Sequence, residues 1–287
     1  MEVKLLTRIK FFRIFFMKLN VVQYGEANNK YQCPIVILHG LFGNHRNWTP
    51  IAKYLAKKQR VYSLDLRNHG QSPHTELMDY PLMAQDLSEF IKQIIADNEY
   101  NSVNIIAHSM GGKAALWLAL TRAELINKLV IVDIAPVSYQ HEFDDVLNAF
   151  NSVPLDLIQS RKEADEWLSH SIKDEGLRQF LLQNLKKTDA DKKPLQYQWR
   201  LNLDVITRSI PFITGFPDTD HLKPYPKRVL FVGGGNSDYL SKANQSLTKE
   251  LFPLASFSMI KSAGHWLHAE QPEIFLALIE PYMSFKH

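Results

Sequence analysis

The chain has 287 residues, of which 45% are apolar and 22% charged, and its formal net charge is +3. This length and composition fit a soluble globular protein with one large domain and an insertion. Cys33 is the single cysteine, which excludes an internal disulfide and a cysteine-rich metal site.

The charge is unevenly distributed along the chain. The first 16 residues contain four basic residues and one acidic residue, which leaves 29 Lys and Arg against 29 Asp and Glu in the remainder. A balanced body without a basic stripe gives no reason to expect nucleic acid as a partner.

The N-terminal segment 1–16 is both basic and apolar. Arg8, Lys10 and Arg13 interrupt its apolar runs, so the pattern lacks the uninterrupted core of a secretory signal and is too short for a membrane span. An interfacial helix is the alternative to a disordered extension. We expect a disordered, dispensable extension, no stable membrane insertion, and a cytoplasmic location in keeping with the lone cysteine.

From Met17 onward, short β-rich apolar runs alternate with longer stretches of helical period. The pattern first predicts an antiparallel edge strand over 18–25. It then predicts strands at 34–39, 60–65, 102–107, 128–133, 228–232 and 256–260, and helices at 47–58, 82–97, 110–125, 240–252 and 272–284. This order predicts an α/β fold with a mostly parallel sheet flanked by helices.

One interval breaks the alternation. Residues 137–222 carry four helical patterns and no convincing strand, and prolines such as Pro136 and Pro224 mark the two margins. We therefore predict a helical cap at 137–222, inserted into a core formed by 17–136 and 223–287.

The strongest motif is an apolar strand that runs into His108-Ser109-Met110-Gly111-Gly112 and then into a helix. A serine hydroxyl is a weak nucleophile, so it must be held exposed beside a base, and a tight strand-turn-helix connection does this. Ala107 stands where the usual motif has its first glycine. The pattern predicts Ser109 as a catalytic nucleophile.

A second strand ends in His39-Gly40-Leu41-Phe42-Gly43. Acyl transfer builds negative charge on a carbonyl oxygen, and fixed backbone N–H groups stabilise that charge. We assign the two donors of this oxyanion hole to Leu41 and Met110. The alternative is a plain turn that happens to contain His-Gly.

A third motif, Gly264-His265-Trp266, follows the last predicted strand and predicts His265 as the general base. The order Ser, acid, His is that of the α/β hydrolases. We expect His39, His108 and His268 to serve packing or loop bracing instead.

The sequence leaves the identity of the acid open. Asp133 ends one strand and Asp238 follows the next one, and both strand ends lie at the catalytic edge. The commoner position, after the penultimate strand, favours Asp238. Asp204 in the insertion is a third candidate.

Six motifs recur in the order of a known family. They are His39-Gly40-Leu41-Phe42-Gly43, Asp65-Leu66-Arg67-Asn68-His69-Gly70, His108-Ser109-Met110-Gly111-Gly112-Lys113, Val132-Asp133-Ile134-Ala135-Pro136, Gly234-Gly235-Asn236-Ser237 and Gly264-His265-Trp266. Together they resemble the YbfF-type bacterial esterases over nearly everything after Met17. The resemblance implies Asp133 as the acid, Ser237 as a supporting fourth residue, no cofactor, and hydrolysis of acyl esters or acyl thioesters, including coenzyme A thioesters.

Two other functions share this fold. A carbon–carbon bond hydrolase uses the same three residue types, and some α/β-hydrolase folds are catalytically silent ligand receptors. Epoxide hydrolases and haloalkane dehalogenases need a carboxylate nucleophile, so Ser109 argues against both. The sequence therefore predicts an esterase or thioesterase that uses no metal and acts on a small-molecule substrate.

Overall fold

The structure is a computed structural model and describes residues 17–25, 33–98, 100–140, 143–188 and 196–283. The predicted N-terminal extension, residues 1–16, lies outside the described residues. Among the described helices, none combines the length and the apolar character needed to cross a membrane.

The centre of the fold is a seven-stranded sheet, formed by β1 (Val21–Tyr24), β2 (Ile35–Leu38), β3 (Val61–Leu64), β4 (Val103–His108), β5 (Ile126–Val132), β8 (Val229–Gly234) and β9 (Ala255–Ile260). Strand β1 pairs antiparallel with β3, and the remaining neighbours are parallel. The strand order across the sheet is β1-β3-β2-β4-β5-β8-β9. The predicted α/β-hydrolase fold class is confirmed, as are all seven predicted strands.

In the described residues, six α-helices of the core lie between the sheet strands or after the last one. They are α1 (Thr49–Leu55), α2 (Tyr80–Asn98), α3 (Ser109–Thr121), α8 (Lys242–Leu251), α9 (Leu267–Glu270) and α10 (Pro272–Met283), and short 3-10 helices occupy His45–Trp48 and Ala123–Leu125. The five predicted helices lie at these places. The sequence pattern did not separate the two 3-10 segments from the α-helices beside them, because one apolar face continues through both.

Both faces of the sheet are covered. In β2, Ile35 and Ile37 belong to the apolar cluster that includes the residues of α1 and α10, whereas Val36 and Leu38 belong to the cluster with α2 and α3. All four side chains are fully buried. This two-sided burial explains why the parallel strands read as continuous apolar runs rather than as alternating ones.

The described residues between β5 and β8 form four helices, α4 (Asp144–Ser152), α5 (Arg161–Ser169), α6 (Glu175–Leu182) and α7 (Leu203–Thr214). It also contains an antiparallel pair, β6 (Leu185–Lys187) and β7 (Tyr197–Trp199). The prediction that this interval lacks a strand is therefore wrong. Strands of three residues are too short to show a period of two, so nothing in the sequence marked them.

The insertion packs on the core rather than standing apart from it. Phe150 and Trp199 are buried in the same apolar cluster as the α2–α3 face of the sheet, and the Phe150 ring lies 5.4 Å from that of Phe42. Phe212 of α7, by contrast, is 63% exposed.

The loop after β3 is braced by a buried ion pair. The Arg67 guanidinium donates two hydrogen bonds to the Asp86 carboxylate, at 2.7 and 2.9 Å, and also binds the carbonyl of Leu77. Burial raises the pKa of Asp86 despite the hydrogen bonds from Arg67. These contacts give Arg67 a structural role in the loop.

Removing one member of this pair should be costly. We expect Arg67→Leu to lower the free energy of unfolding by about 3–5 kcal/mol, because it leaves a buried carboxylate without its cation. The double variant Arg67→Leu/Asp86→Leu should recover part of the loss, which urea unfolding followed by circular dichroism would measure. The exposed Lys92–Glu89 pair provides the control, and Lys92→Leu should change stability by less than about 1 kcal/mol. A double variant that is no more stable than Arg67→Leu would contradict this account.

Candidate active site

Ser109 lies at the turn between β4 and α3. Its φ of +50° is in the left-handed region, which a non-glycine residue adopts only where the surrounding structure enforces it. A side chain on Gly111 would come within 2.4 Å of the His39 carbonyl oxygen, so glycine is required for the helix start to approach the preceding turn. The turn leaves Ser109 9% exposed, at the edge of the sheet.

Ser109, His265 and Asp133 form one hydrogen-bonded chain. His265 Nε2 lies 3.1 Å from Ser109 Oγ, and His265 Nδ1 lies 2.8 Å from Asp133 Oδ2. The two ring nitrogens thus face a hydroxyl on one side and a carboxylate on the other. This is the geometry in which a histidine takes a proton from serine while a carboxylate holds its tautomer.

Asp133 is completely buried and has a φ of +50°. Besides His265, its carboxylate accepts hydrogen bonds from the Ser237 hydroxyl at 2.5 Å and from the Gly234 N–H at 3.0 Å. Ser237 therefore touches the same Oδ2 atom as the histidine. The four residues that the family resemblance selects lie together.

The other acid candidates lie elsewhere. Asp238 and Asp204 are both exposed, and neither makes a side-chain contact with His265 among the contacts of the described residues. Position along the chain favoured Asp238, but the turn after β8 places the Ser237 hydroxyl, not the Asp238 carboxylate, on Asp133 beside the imidazole. Asp133 reaches it because β5 lies between β4 and β8 in the sheet.

Two aromatic neighbours, which the sequence motifs did not assign to the site, hold the His265 ring. The Tyr239 ring stacks on it at 4.4 Å, and the His108 ring lies 4.6 Å away. Burial, together with the nearby His265 and His268, lowers the pKa of His108, so His108 is neutral and its Nε2–H donates to the His265 carbonyl at 2.9 Å. Tyr239 follows Ser237 by two residues, and this closeness is the one feature of the sequence that could have indicated that Tyr239 belongs to the site.

The turn that carries Leu41 is held by two buried histidines. His39 binds the Gly40 carbonyl through Nδ1 and accepts from the Leu66 N–H through Nε2, while His69 Nε2 accepts from the Phe42 N–H. Burial lowers the pKa of His39, and burial with the neighbouring His39 lowers that of His69 to about 3. Both rings are therefore neutral at physiological pH, as acceptor nitrogens require.

The insertion also contacts this turn. Asn184, between α6 and β6, is fully buried and donates to the Phe42 carbonyl at 2.7 Å. Asn47, beside the turn, donates to the Gln183 side chain at 2.7 Å. These contacts hold the turn that carries Leu41 from the side of the insertion, so the geometry of this turn depends on both the sheet and the insertion.

Two cavities flank the site. A small one of about 30 Å³ contains Ser109, Leu41 and Met110 in its wall, with Ile213 of α7 and Lys113 of α3 among the other lining residues. A larger one of about 480 Å³ is lined in part by Gly40 and by Gln179 and Phe180 of α6, and its wall includes neither Ser109 nor His265. The smaller cavity is the one beside the proposed reacting atoms, so size alone is a poor guide to the site.

The chain resembles proteins of one family along most of its length. A family model described as the alpha/beta hydrolase fold matches residues 34–272. Esterase YbfF of Escherichia coli is 35% identical over 269 residues, which cover 93% of this chain and all of the relative. An enzyme of Xenopus laevis named sn-1-specific diacylglycerol lipase ABHD11 is 40% identical over 254 residues, or 86% of this chain and 78% of the relative.

A solved structure agrees with these sequence matches. The structure titled marine microorganism esterase superposes with a TM-score of 0.84 at 37% identity, covering 93% of this chain and 99% of the other. On the family match, the extent of these identities and the shared fold, the chain belongs to the α/β-hydrolase family, among esterases of the YbfF type.

Proposed function

We propose that this protein is a serine hydrolase that cleaves carboxylic acyl esters and acyl thioesters through an acyl-enzyme intermediate. The observation that carries the proposal is the continuous hydrogen-bonded chain from Asp133 through His265 to Ser109. The esterase and lipase names of the relatives support an ester as the substrate class.

In the first step, His265 Nε2 takes the Ser109 proton as Oγ attacks the substrate carbonyl carbon. Asp133 stabilises the imidazolium that forms and remains ionised. His265 then donates the proton to the departing alcohol or thiol, which leaves Ser109 acylated. Water, activated by the same imidazole, attacks the acyl-enzyme and restores the free hydroxyl.

The tetrahedral intermediates place negative charge on the former carbonyl oxygen. Met110 is in the first turn of α3, where backbone N–H groups have no partner within the helix and the helix dipole is positive. Leu41 lies across the same small cavity. We assign the two stabilising N–H groups to these residues, each contributing about 3 kcal/mol to lowering the barrier.

A thioester fits the same steps because the serine attacks the same acyl carbon and a thiolate leaves more readily than an alkoxide. The insertion at 137–222 acts in this proposal as a cap that shapes the acyl pocket. Ile213 of α7 and Phe143 before α4 contribute to the wall beside Ser109.

The nucleophile assignment is tested by Ser109→Ala. We expect the variant to fold normally and to lose about 10⁶-fold in turnover of a short acyl ester, since the attacking group is gone. A fluorophosphonate probe should label the unaltered protein and fail to label the variant. Ser262→Ala, at an exposed serine close to His265 in sequence, is the matched control, and labelling of Ser109→Ala would remove Ser109 from the mechanism.

The acid assignment is tested by comparing three variants on one ester. Asp133→Asn should lower the turnover number by about 10⁴-fold, because the amide stabilises the wrong histidine tautomer. Asp238→Asn, at an exposed carboxylate for which the described residues show no contact with the ring, should cost little. Ser237→Ala should fall between them, since a hydroxyl orients Asp133 but carries no charge. If Asp238→Asn lost its turnover while Asp133→Asn stayed active, Asp238 would be the acid and the assignment would be reversed.

The size of the small cavity predicts a preference for short acyl groups. At about 30 Å³, the cavity is only about twice the minimum volume that holds one water molecule, so it accepts a small group. We expect Ile213→Ala to raise the ratio of kcat/KM for octanoyl over acetyl esters by about 10-fold or more, on the scale of a methylene in an apolar pocket. Phe212→Ala removes the exposed neighbour on the same helix and should leave the ratio unchanged. An equal effect of both variants would argue against this wall.

A further inference from the structure

Lys113 lies in an unusual environment for a lysine. It follows Ser109 by four residues on α3, so the two side chains share one face of the helix. The Lys113 side chain is buried, with 1% of the residue exposed. In the part of the chain that the structure describes, its ammonium has no carboxylate within ion-pair distance.

Three backbone carbonyls surround the Lys113 Nζ atom instead. They belong to Val137 at 2.7 Å, Thr214 at 3.0 Å and Gly215 at 2.6 Å. An ammonium has three N–H donors, so every donor is matched. Thr214 and Gly215 end α7, where carbonyls lack helical partners and the dipole favours a cation.

These carbonyls mark both ends of the helical insertion. Val137 is where the chain leaves the sheet domain after β5, and Thr214 ends the last helix before the chain returns to β8. One side chain on the nucleophile helix therefore binds the outgoing and the returning segment together. The Tyr139 N–H adds a backbone hydrogen bond to the Thr214 carbonyl at 3.0 Å.

The same contact leads to the histidine. The Lys113 Nζ atom lies 4.7 Å from the centre of the Tyr139 ring, within cation–π distance. The Tyr139 hydroxyl donates to the Tyr239 carbonyl at 2.8 Å and accepts from the Ala135 N–H at 2.8 Å. Tyr239 in turn stacks on the His265 ring.

We propose that Lys113 is a positioning residue, which ties both ends of the insertion to the nucleophile helix and thereby holds the Tyr139–Tyr239 pair against His265. The catalytic part of this inference rests on the proposed function. The mechanical part, the tie between α3 and the two ends of the insertion, does not.

The free-energy cost of the site supports a positioning role over simple packing. Burial lowers the pKa of Lys113 to about 7. The unfolded chain holds this proton more tightly than the folded protein does, so protonation at neutral pH weakens the fold. A methionine would fill the same space without burying a charge, and a lysine used only for packing would have no advantage over it.

The test is Lys113→Met in the full chain, assayed on a short acyl ester. We expect kcat to fall by about 10- to 100-fold, the range for a misplaced catalytic group, while KM changes by less than about twofold. Amide hydrogen exchange at 137–140 and 213–216 should accelerate. Lys227→Met is the matched control, because Lys227 also binds two backbone carbonyls, those of Ala123 and Ile126, but at the opposite edge of the sheet, where β5 and β8 begin.

Restoring the amine distinguishes positioning from general damage. Lys113→Cys in a Cys33→Ser background, alkylated with 2-bromoethylamine while unfolded and then refolded, carries a lysine analogue only at this position. This protein should recover the kcat of the unaltered enzyme, and its amide hydrogen exchange at 137–140 and 213–216 should again be slow. If the refolded, alkylated protein has a kcat as low as that of Lys113→Met, the proposal is overturned. It is also overturned if Lys113→Met matches Lys227→Met in both kcat and amide hydrogen exchange.

A second variant covers the case in which Lys113→Met does not fold. Tyr139→Phe removes the hydroxyl that binds Tyr239 and should lower kcat in the same way, with KM unchanged, whereas an unchanged kcat overturns the proposal. A starting protein that folds but turns over no ester would contradict the proposed function. The exchange comparison would still test the tie itself.

Discussion

The site depends on one constraint, namely that parallel strands end at the same edge of their sheet. Strands β4, β5 and β8 are neighbours, so Ser109, Asp133 and Ser237 leave the sheet side by side although 128 positions separate the first from the last in sequence. Ser109 and Asp133 both leave it with a left-handed backbone. Such a conformation is strained for a non-glycine residue and persists only where the neighbouring structure enforces it. Here the two turns direct a hydroxyl and a carboxylate to opposite nitrogens of His265.

Neutral buried histidines provide much of the rigidity around this edge. His39, His69 and His108 each use ring nitrogens to fix a backbone group of the site or of its turns. Burial keeps their pKa values low, so the rings provide directional hydrogen bonds without adding charge beside an imidazole that must itself become protonated. His265, by contrast, contacts both a hydroxyl and a carboxylate.

The insertion is part of the site as well as a cover over it. Asn184 binds the turn of the proposed oxyanion hole, Ile213 contributes to the wall of the small cavity, and Lys113 binds both ends of the segment. Since its apolar residues share a core with the sheet, movement of the insertion would disturb the turn, the acyl cavity and the stacking on His265 together. This coupling gives a physical reason why a buried ammonium, that of Lys113, joins α3 to both ends of the insertion.

The sequence by itself determined the order of strands and helices, the place of the insertion, and the motifs around Ser109 and His265, because each is a local pattern of hydrophobic period and turn residues. It could not separate Asp133 from Asp238 without a family resemblance, since both follow strands at the same edge and the choice depends on where a side chain points after a turn. The three-residue strands β6 and β7, the stacking of Tyr239 on His265, and the three carbonyls around Lys113 also depended on the tertiary structure. They join residues up to 102 positions apart, and packing rather than local sequence decides such contacts.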